Sequence, residues 1–224
     1  MHKGQEARIV IIAGGSFQGK SIIALEIATA FRFSGVVSTD MIRNVLKVLR
    51  PDEDYLSTST YLLPEPLLLK QMREVSNVIK EMIAIYKRRG EHIVIEGMHF
   101  SEDFLRWASS QNFHKIFIDN RLSLRERVIY KNVTRSRLGL YDSVSSKRIF
   151  GTVNEANVDS SSYIKHQTRI VHIHNSMLAL CTKYGFEVVE FDDIEDGIAR
   201  AIDSVEKWIS CNDNALGGSV TDFV

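Results

Sequence analysis

RIVIIAGGSFQGKS, residues 8–21, joins a run as apolar as any in this chain to a turn built on three of its 13 glycines. Arg8 to Ala13 is nearly all β-branched, as in a strand buried on both faces. The turn ends in Gly19-Lys20-Ser21, and a helical pattern then runs from Lys20 to Phe33. Gly14, Gly19, Lys20 and Ser21 match G-x-x-x-x-G-K-[ST], the phosphate-loop (Walker A) pattern, in the strand-then-helix context that the motif requires. The chemistry accounts for the composition. A loop that wraps a phosphate turns its N–H groups inward, and bulky side chains would block the approach. The helix N-terminus adds the positive end of its dipole. Gly14, Gly15, Ser16, Phe17, Gln18, Gly19, Lys20 and Ser21 are therefore the expected nucleotide cradle. Lys20 reaches the β- and γ-phosphates, and the Ser21 hydroxyl is a Mg²⁺ ligand.

Around this turn the chain alternates strands and helices. HIVIE (92–96) and KIFID (115–119) are strong strand signals, and GVVST (35–39) and FEVVEF (186–191) are weaker ones. A stripe of Leu68, Met72, Val75, Ile79, Met82 and Tyr86 marks a long helix over Pro66 to Arg89, and further helices are expected over Ser162 to Tyr184 and Ile194 to Ile209. Such alternation predicts an α/β fold with a five-stranded parallel sheet flanked by helices. All three prolines fall in RPDEDYLSTSTYLLPEP (50–66), which reads as an irregular insert. One domain over 1–210 and a mobile tail over 211–224 are the expected organisation.

With 224 residues, 44% hydrophobic and 25% charged, the composition is that of an ordinary globular protein. Lys plus Arg equal Asp plus Glu at 28 each, so no overall basic excess favours a nucleic-acid partner. Two cysteines make no disulfide framework. No apolar run approaches the ~20 residues of a membrane span. A cytoplasmic protein without a membrane partner is expected.

Phosphate loops serve switches, motors and kinases alike, so other residues must choose. Asp40, in STDMIRNVL after the second strand, falls at a strand C-terminus beside the loop if strands one and two are neighbours. It suits a catalytic carboxylate, or alternatively a helix N-cap. Arg43, one turn on, would bind an anionic acceptor. Glu96 ends the third strand and needs a cation or a reacting hydroxyl to justify its burial, whereas Gly97 permits close backbone approach. His99 reads equally as a substrate contact or as a locally satisfied histidine. Between Arg121 and Arg148 lie six arginines and two lysines against Glu126 and Asp142. Arg121, Arg125 and Arg127, with Arg135 and Arg137, fit a lid closing on the transferring phosphoryl group, Arg121 and Arg125 sharing a helix face, or else a solvated basic face. His166, His172 and His174 lack the spacing of metal ligands and read as packing or surface residues, and Cys181 as core.

Four stretches, IIAGGSFQGKS (11–21), VVSTDMIRNVL (36–46), STSTYLL (57–63) and VIEGMHF (94–100), together resemble the archaeal 2-phosphoglycerate kinase family of P-loop kinases. The resemblance implies ATP and Mg²⁺ as cofactors and phosphorylation of the 3-hydroxyl of 2-phosphoglycerate. It implies that Gly14 to Ser21 hold ATP·Mg²⁺, that Asp40 and Arg43 meet the acceptor, and that Glu96 serves the metal or the attacking hydroxyl. Phe17 and Gln18 depart from the smaller residues usual in this loop, and no additional N-terminal regulatory domain is expected. The sequence thus predicts a kinase with Lys20, Asp40, Glu96 and Arg125 catalytic. Arg43, Gly97, His99, Arg121 and Arg127 would bind a small anionic or phosphorylated acceptor, and Ser21 and Glu96 the metal. The alternatives are a nucleoside, nucleotide or polynucleotide kinase, which would make nucleic acid a partner, and a nucleotide-dependent regulatory module. For the last, no guanine-reading N-K-x-D string is found.

Overall fold

The computed structural model describes residues 7–128 and 160–215. Five strands form one parallel sheet: β1 (Ile9–Ala13), β2 (Val36–Ser38), β3 (Ile93–Gly97), β4 (His114–Asn120) and β5 (Glu187–Phe191), in the order β2-β3-β1-β4-β5. All four pairings are parallel, with Ile12 opposite Glu96 and Ile116, and Glu96 opposite Ser38. The adjacency of β1 and β2, on which the sequence reading of Asp40 is conditional, does not occur: β3 lies between them. The reason is topological, because the helices between β2 and β3 let the chain return to place β3 inside β2, next to β1. Asp40 still approaches the loop, across the end of β3.

Alternation along β1 divides the core. Ile9, Ile11 and Ala13 face one side, with Ile93, Ile95 and Phe117. Packed there are α2 (Thr39–Leu49), α4 (Glu65–Arg89), α5 (Glu102–Ser109) and α8 (Gln167–Lys183), through Ile42, Leu68, Ile79, Phe104, Met177 and other side chains. Val10 and Ile12 face the other side, against α1 (Lys20–Ala30) and α9 (Ile194–Ala215), through Ile23, Ile27, Ala201 and Val205. Both faces of β1 are sealed, which explains why its sequence is continuously apolar.

The insert expected to be irregular instead contains α3 (Asp54–Ser57) and a 3-10 turn (Thr60–Leu62). Both are too short to show a hydrophobic period, and tertiary bonds hold them. Tyr55 donates its hydroxyl to Glu74 at 2.6 Å, and Gln71 Nε2 donates to the Tyr55 carbonyl at 2.6 Å. Residues 102–109 form α5, which has no counterpart in the sequence reading; Ser101 caps it by accepting from Phe104 N–H, and residues 124–128 form α6. The helix expected over 162–184 divides into α7 (Ser160–Lys165) and α8, with the half-buried His166 between them packed 5.5 Å from Tyr61. The start of the expected mobile tail is helical through Ala215, tied by Asp213 to Arg8 and by Asn212 to Trp208. Residues 216–224 lie outside the described residues. No described helix is long and apolar enough to cross a membrane.

Candidate active site

The phosphate loop leaves the C-terminal end of β1, the sheet's central strand, and Gly19 opens α1 in a left-handed conformation (φ 86°). Lys20 lies folded back, its Nζ donating to the Gly15 carbonyl at 2.7 Å. Burial pushes the Lys20 ammonium below its ordinary pKa; Glu96 and Asp40 oppose this, and Arg127 adds to it. Those influences locate one basic and two acidic side chains around a single lysine. Ser21 Oγ donates to Glu96 Oε1 at 3.1 Å, so the expected metal pair meets at the helix start. Glu96 is only 4% exposed. Among the described residues no group of three or more His, Cys, Asp or Glu could hold a metal. Two oxygen ligands from the protein, completed by phosphate oxygens and water, are the usual Mg²⁺ arrangement in phosphoryl-transfer sites. Ser21 and Glu96 fit that requirement.

The departures from small residues in the loop have structural partners. Phe17 adopts φ 64°, a left-handed conformation that costs a non-glycine residue roughly 1–2 kcal/mol. Its ring meets Tyr163 edge-on at 4.6 Å, in a satellite cluster with Leu124, Val128 and Ile170. Gln18 is buried, and its Oε1 accepts from Asn120 N–H at 2.7 Å. Ser16 Oγ points to the Met98 sulfur at 3.7 Å.

On the acceptor side, Ser38 occupies the N-cap of α2, so Asp40 is not the cap. It stands in the first helical turn with its carboxylate 64% exposed. Arg43 Nε lies 3.6 Å from Asp40 Oδ1, and Arg43 Nη1 approaches the Leu56 and Thr58 carbonyls at 3.4 Å each. Arg43 Nε is buried without a hydrogen-bond partner among the described residues. A guanidinium with an unfilled donor beside an exposed carboxylate can receive an anion and its neighbouring hydroxyl together.

His99 is not available to substrate. It is fully buried, with Nδ1 3.0 Å from Thr39 Oγ1 and Nε2 3.0 Å from Thr60 Oγ1. Thr60 donates to Gln71 Oε1, so it accepts from Nε2–H, and Nδ1 accepts from Thr39. Burial pushes the His99 pKa down to about 4, only partly opposed by Asp40. The ring therefore fastens the start of α2 to the insert. Gly97 serves the same junction: a Cβ there would lie 1.8 Å from Thr39 Oγ1, at φ 152°. The group that closely approaches its backbone is Thr39.

Of the arginines expected to form a lid, Arg121 precedes the helical residues 124–128 and pairs with Glu190 on β5, so it does not share a helix face with Arg125. Arg125 is exposed, whereas Arg127 is half-buried. Burial lowers the pKa of Arg127, with Asp119 opposing, and Arg127 in turn acts on Lys20. Of these three arginines, Arg127 is the one whose charge acts on Lys20 of the loop. Arg135, Arg137 and Arg148 lie outside the described residues.

One group goes unanticipated by spacing. His174, from α8, is buried against the loop and touches Gly15, Gln18 and Asp119. It stands 159 residues from Gly15, and no local pattern announces the pairing. Beyond it, Tyr61, Leu63, Glu65, His166 and Arg169 line part of an open cavity of about 460 Å³ between the insert and the start of α8.

No protein-family model matches the chain. A 2-phosphoglycerate kinase of Pyrococcus horikoshii is 24% identical over 211 residues, which cover 88% of this chain and 64% of that protein. Further archaeal proteins of that name, from Thermococcus kodakarensis and Methanothermobacter thermautotrophicus among others, match at 24% and 26%. At this low identity the chain is similar to archaeal proteins named 2-phosphoglycerate kinase. It spans about two thirds of their length. A mevalonate-3-phosphate 5-kinase of Thermoplasma acidophilum is 28% identical over 154 residues, 60% of this chain and 76% of that one. Among solved structures, a shikimate kinase of Acinetobacter baumannii superposes with a TM-score of 0.50 at 10% identity, covering 91% of this chain and 94% of that one. The chain has the P-loop kinase fold.

Proposed function

We propose that this chain is an ATP- and Mg²⁺-dependent kinase that phosphorylates a hydroxyl group of a small anionic metabolite, with 2-phosphoglycerate the first candidate. The contact of Ser21 with Glu96, beside a lysine folded onto a phosphate loop, is the observation that carries the reading. Ser21 and Glu96 would hold Mg²⁺ on the nucleotide phosphates. Bound there, the ion would neutralise charge on the β- and γ-phosphates. Lys20 would leave the Gly15 carbonyl for the γ-phosphoryl oxygens. Arg127 would add positive charge as that group transfers, a role also open to Arg125 and Arg121 after movement. Arg43 would bind the acceptor's anionic group, and Asp40 would orient the hydroxyl and take its proton. The hydroxyl oxygen forms a bond to the γ-phosphorus as the bond to the β,γ-bridging oxygen breaks, so that ADP leaves.

Relatives named for 2-phosphoglycerate and for mevalonate 3-phosphate support a phosphorylated acceptor. A nucleotide or polynucleotide kinase would use the same donor half, but the neutral overall charge favours it less. The test is ADP production from MgATP across 2-phosphoglycerate, other phosphorylated hydroxy acids, mevalonate phosphates, nucleosides and 5′-hydroxyl oligonucleotides. Turnover with a phosphorylated hydroxy acid supports the reading. Turnover confined to nucleosides or oligonucleotides would replace the acceptor half of it, and no turnover with any member, together with no ATP binding, would end it.

A further inference from the structure

His174 on α8 joins both halves of the phosphate loop. Its Nδ1 lies 3.2 Å from Gly15 N and 3.2 Å from Gln18 Nε2, and its Nε2 lies 3.0 Å from Asp119 Oδ1. The donor and acceptor chemistry permits one assignment. Gly15 N–H can only donate, and Gln18 uses its Oε1 on Asn120 N–H, leaving its amide N–H groups to donate. Nδ1 therefore accepts from both, and the ring's one proton sits on Nε2 and is donated to Asp119. That hydrogen bond is the largest influence holding the Asp119 carboxyl below its ordinary pKa. Both ring nitrogens are used, so His174 is not a vacant metal ligand.

The packing is equally specific. A Cβ on Gly15 would lie 2.9 Å from both His174 Cβ and Nδ1, so this loop glycine makes room for the imidazole. Gly15 is then held through both of its backbone polar groups: its N–H by His174, and its carbonyl by Lys20 Nζ. If Lys20 turns to a phosphate, the histidine bond is what retains Gly15. A second contact from the same side, Phe17 on Tyr163 of α7, steadies the loop tip.

We infer that His174 is a positioning residue for the phosphate loop: it accepts from Gly15 N–H and the Gln18 side chain to hold the shape that receives the nucleotide, with Asp119 fixing its tautomer. The inference rests on the kinase reading only for what the loop receives. Asn at 174 can set an amide oxygen near the place of Nδ1, whereas Gln reaches the place of Nε2 and Phe keeps the volume alone.

Two measurements on the full chain test it. In the nucleotide-free protein, His174→Phe and His174→Gln should speed hydrogen exchange at Gly15 by at least ~10-fold while the melting temperature stays within a few degrees, and His174→Asn should restore slow exchange. With MgATP, the Phe and Gln variants should raise the ATP Kd and KM by about 10-fold or more, with acceptor KM little changed, and Asn should return both to within about threefold. Unchanged Gly15 exchange in the Phe variant overturns the inference. So does a Gln variant that performs as well as wild type, or an Asn variant no better than Phe. If wild type binds no ATP, the kinase proposal fails by that result alone, and the hold of His174 on the loop is still decided by exchange.

Discussion

Lowering the pH from 7.5 to 5 should destabilise this protein through two histidines that fold neutral. His99 is fully buried between two threonines, and His114 is 8% exposed. The His114 Nε2 lies 2.8 Å from Ser204 Oγ, which in turn donates to Glu187 at 2.6 Å. Burial lowers each pKa to about 4 from an unfolded value of 6.5. The unfolded chain therefore binds protons below pH ~6.5 that the native state refuses until pH ~4, and stability falls with pH across that window. Each group contributes a loss of ~2 kcal/mol at pH 5, and the two together ~4 kcal/mol. Against a typical reserve of roughly 5–15 kcal/mol, this is a large effect. His92, also lowered by burial, acts in the same direction. The depressed carboxylates Glu53, Glu102, Asp119 and Glu126 act mainly below this window. Urea unfolding at half-unit pH steps, followed by the fluorescence of Trp107 and Trp208, measures the slope. His114→Gln should remove about half of it. A free energy of unfolding that changes by less than ~1 kcal/mol between pH 7.5 and 5 would show that these rings are not buried and neutral, and would refute the locked junction of Thr39, His99 and Thr60.

Lys20→Ala should leave the fold intact and lower kcat by at least ~10³-fold, since it removes a charge from the transferring phosphoryl group; near-normal ATP turnover would contradict the loop assignment. Glu96→Gln keeps the side-chain shape but halves the ligand pair, so the Mg²⁺ concentration for half-maximal rate should rise about 10-fold or more, and an unchanged Mg²⁺ titration would remove Glu96 from the metal. Arg43→Lys should raise acceptor KM well above any change in ATP KM, because lysine cannot present two donors side by side. Asp40→Asn should lower kcat while ATP binding survives; activity within about threefold of wild type would leave Asp40 with no catalytic part.

The alternation of strands and helices, the five parallel strands and the phosphate loop were all legible along the chain. Each depends on local chemistry: buried parallel strands are continuously apolar, and a phosphate cradle needs small residues before a helix N-terminus. Glu96 was legible for a related reason, since a carboxylate closing a buried strand requires a partner, and Ser21 is one. His99 shows the limit. Its sequence context is equally consistent with contact to substrate and with burial, and only Thr39 and Thr60 converging on its two nitrogens decide between them.

What the sequence determined by itself is what repeats or sits within a few residues: the strand period, the loop that turns its amides inward, and the helix that starts on Lys20. Tertiary structure alone decided which distant groups share that loop. The order β2-β3-β1-β4-β5 sets β3 beside β1 and so brings Glu96 to Ser21, 75 residues away. The return of α8 over the same sheet face brings His174 to Gly15. Hydrogen bonds between groups so far apart leave no periodicity in the chain, because they depend on how whole elements pack rather than on the spacing of neighbouring residues.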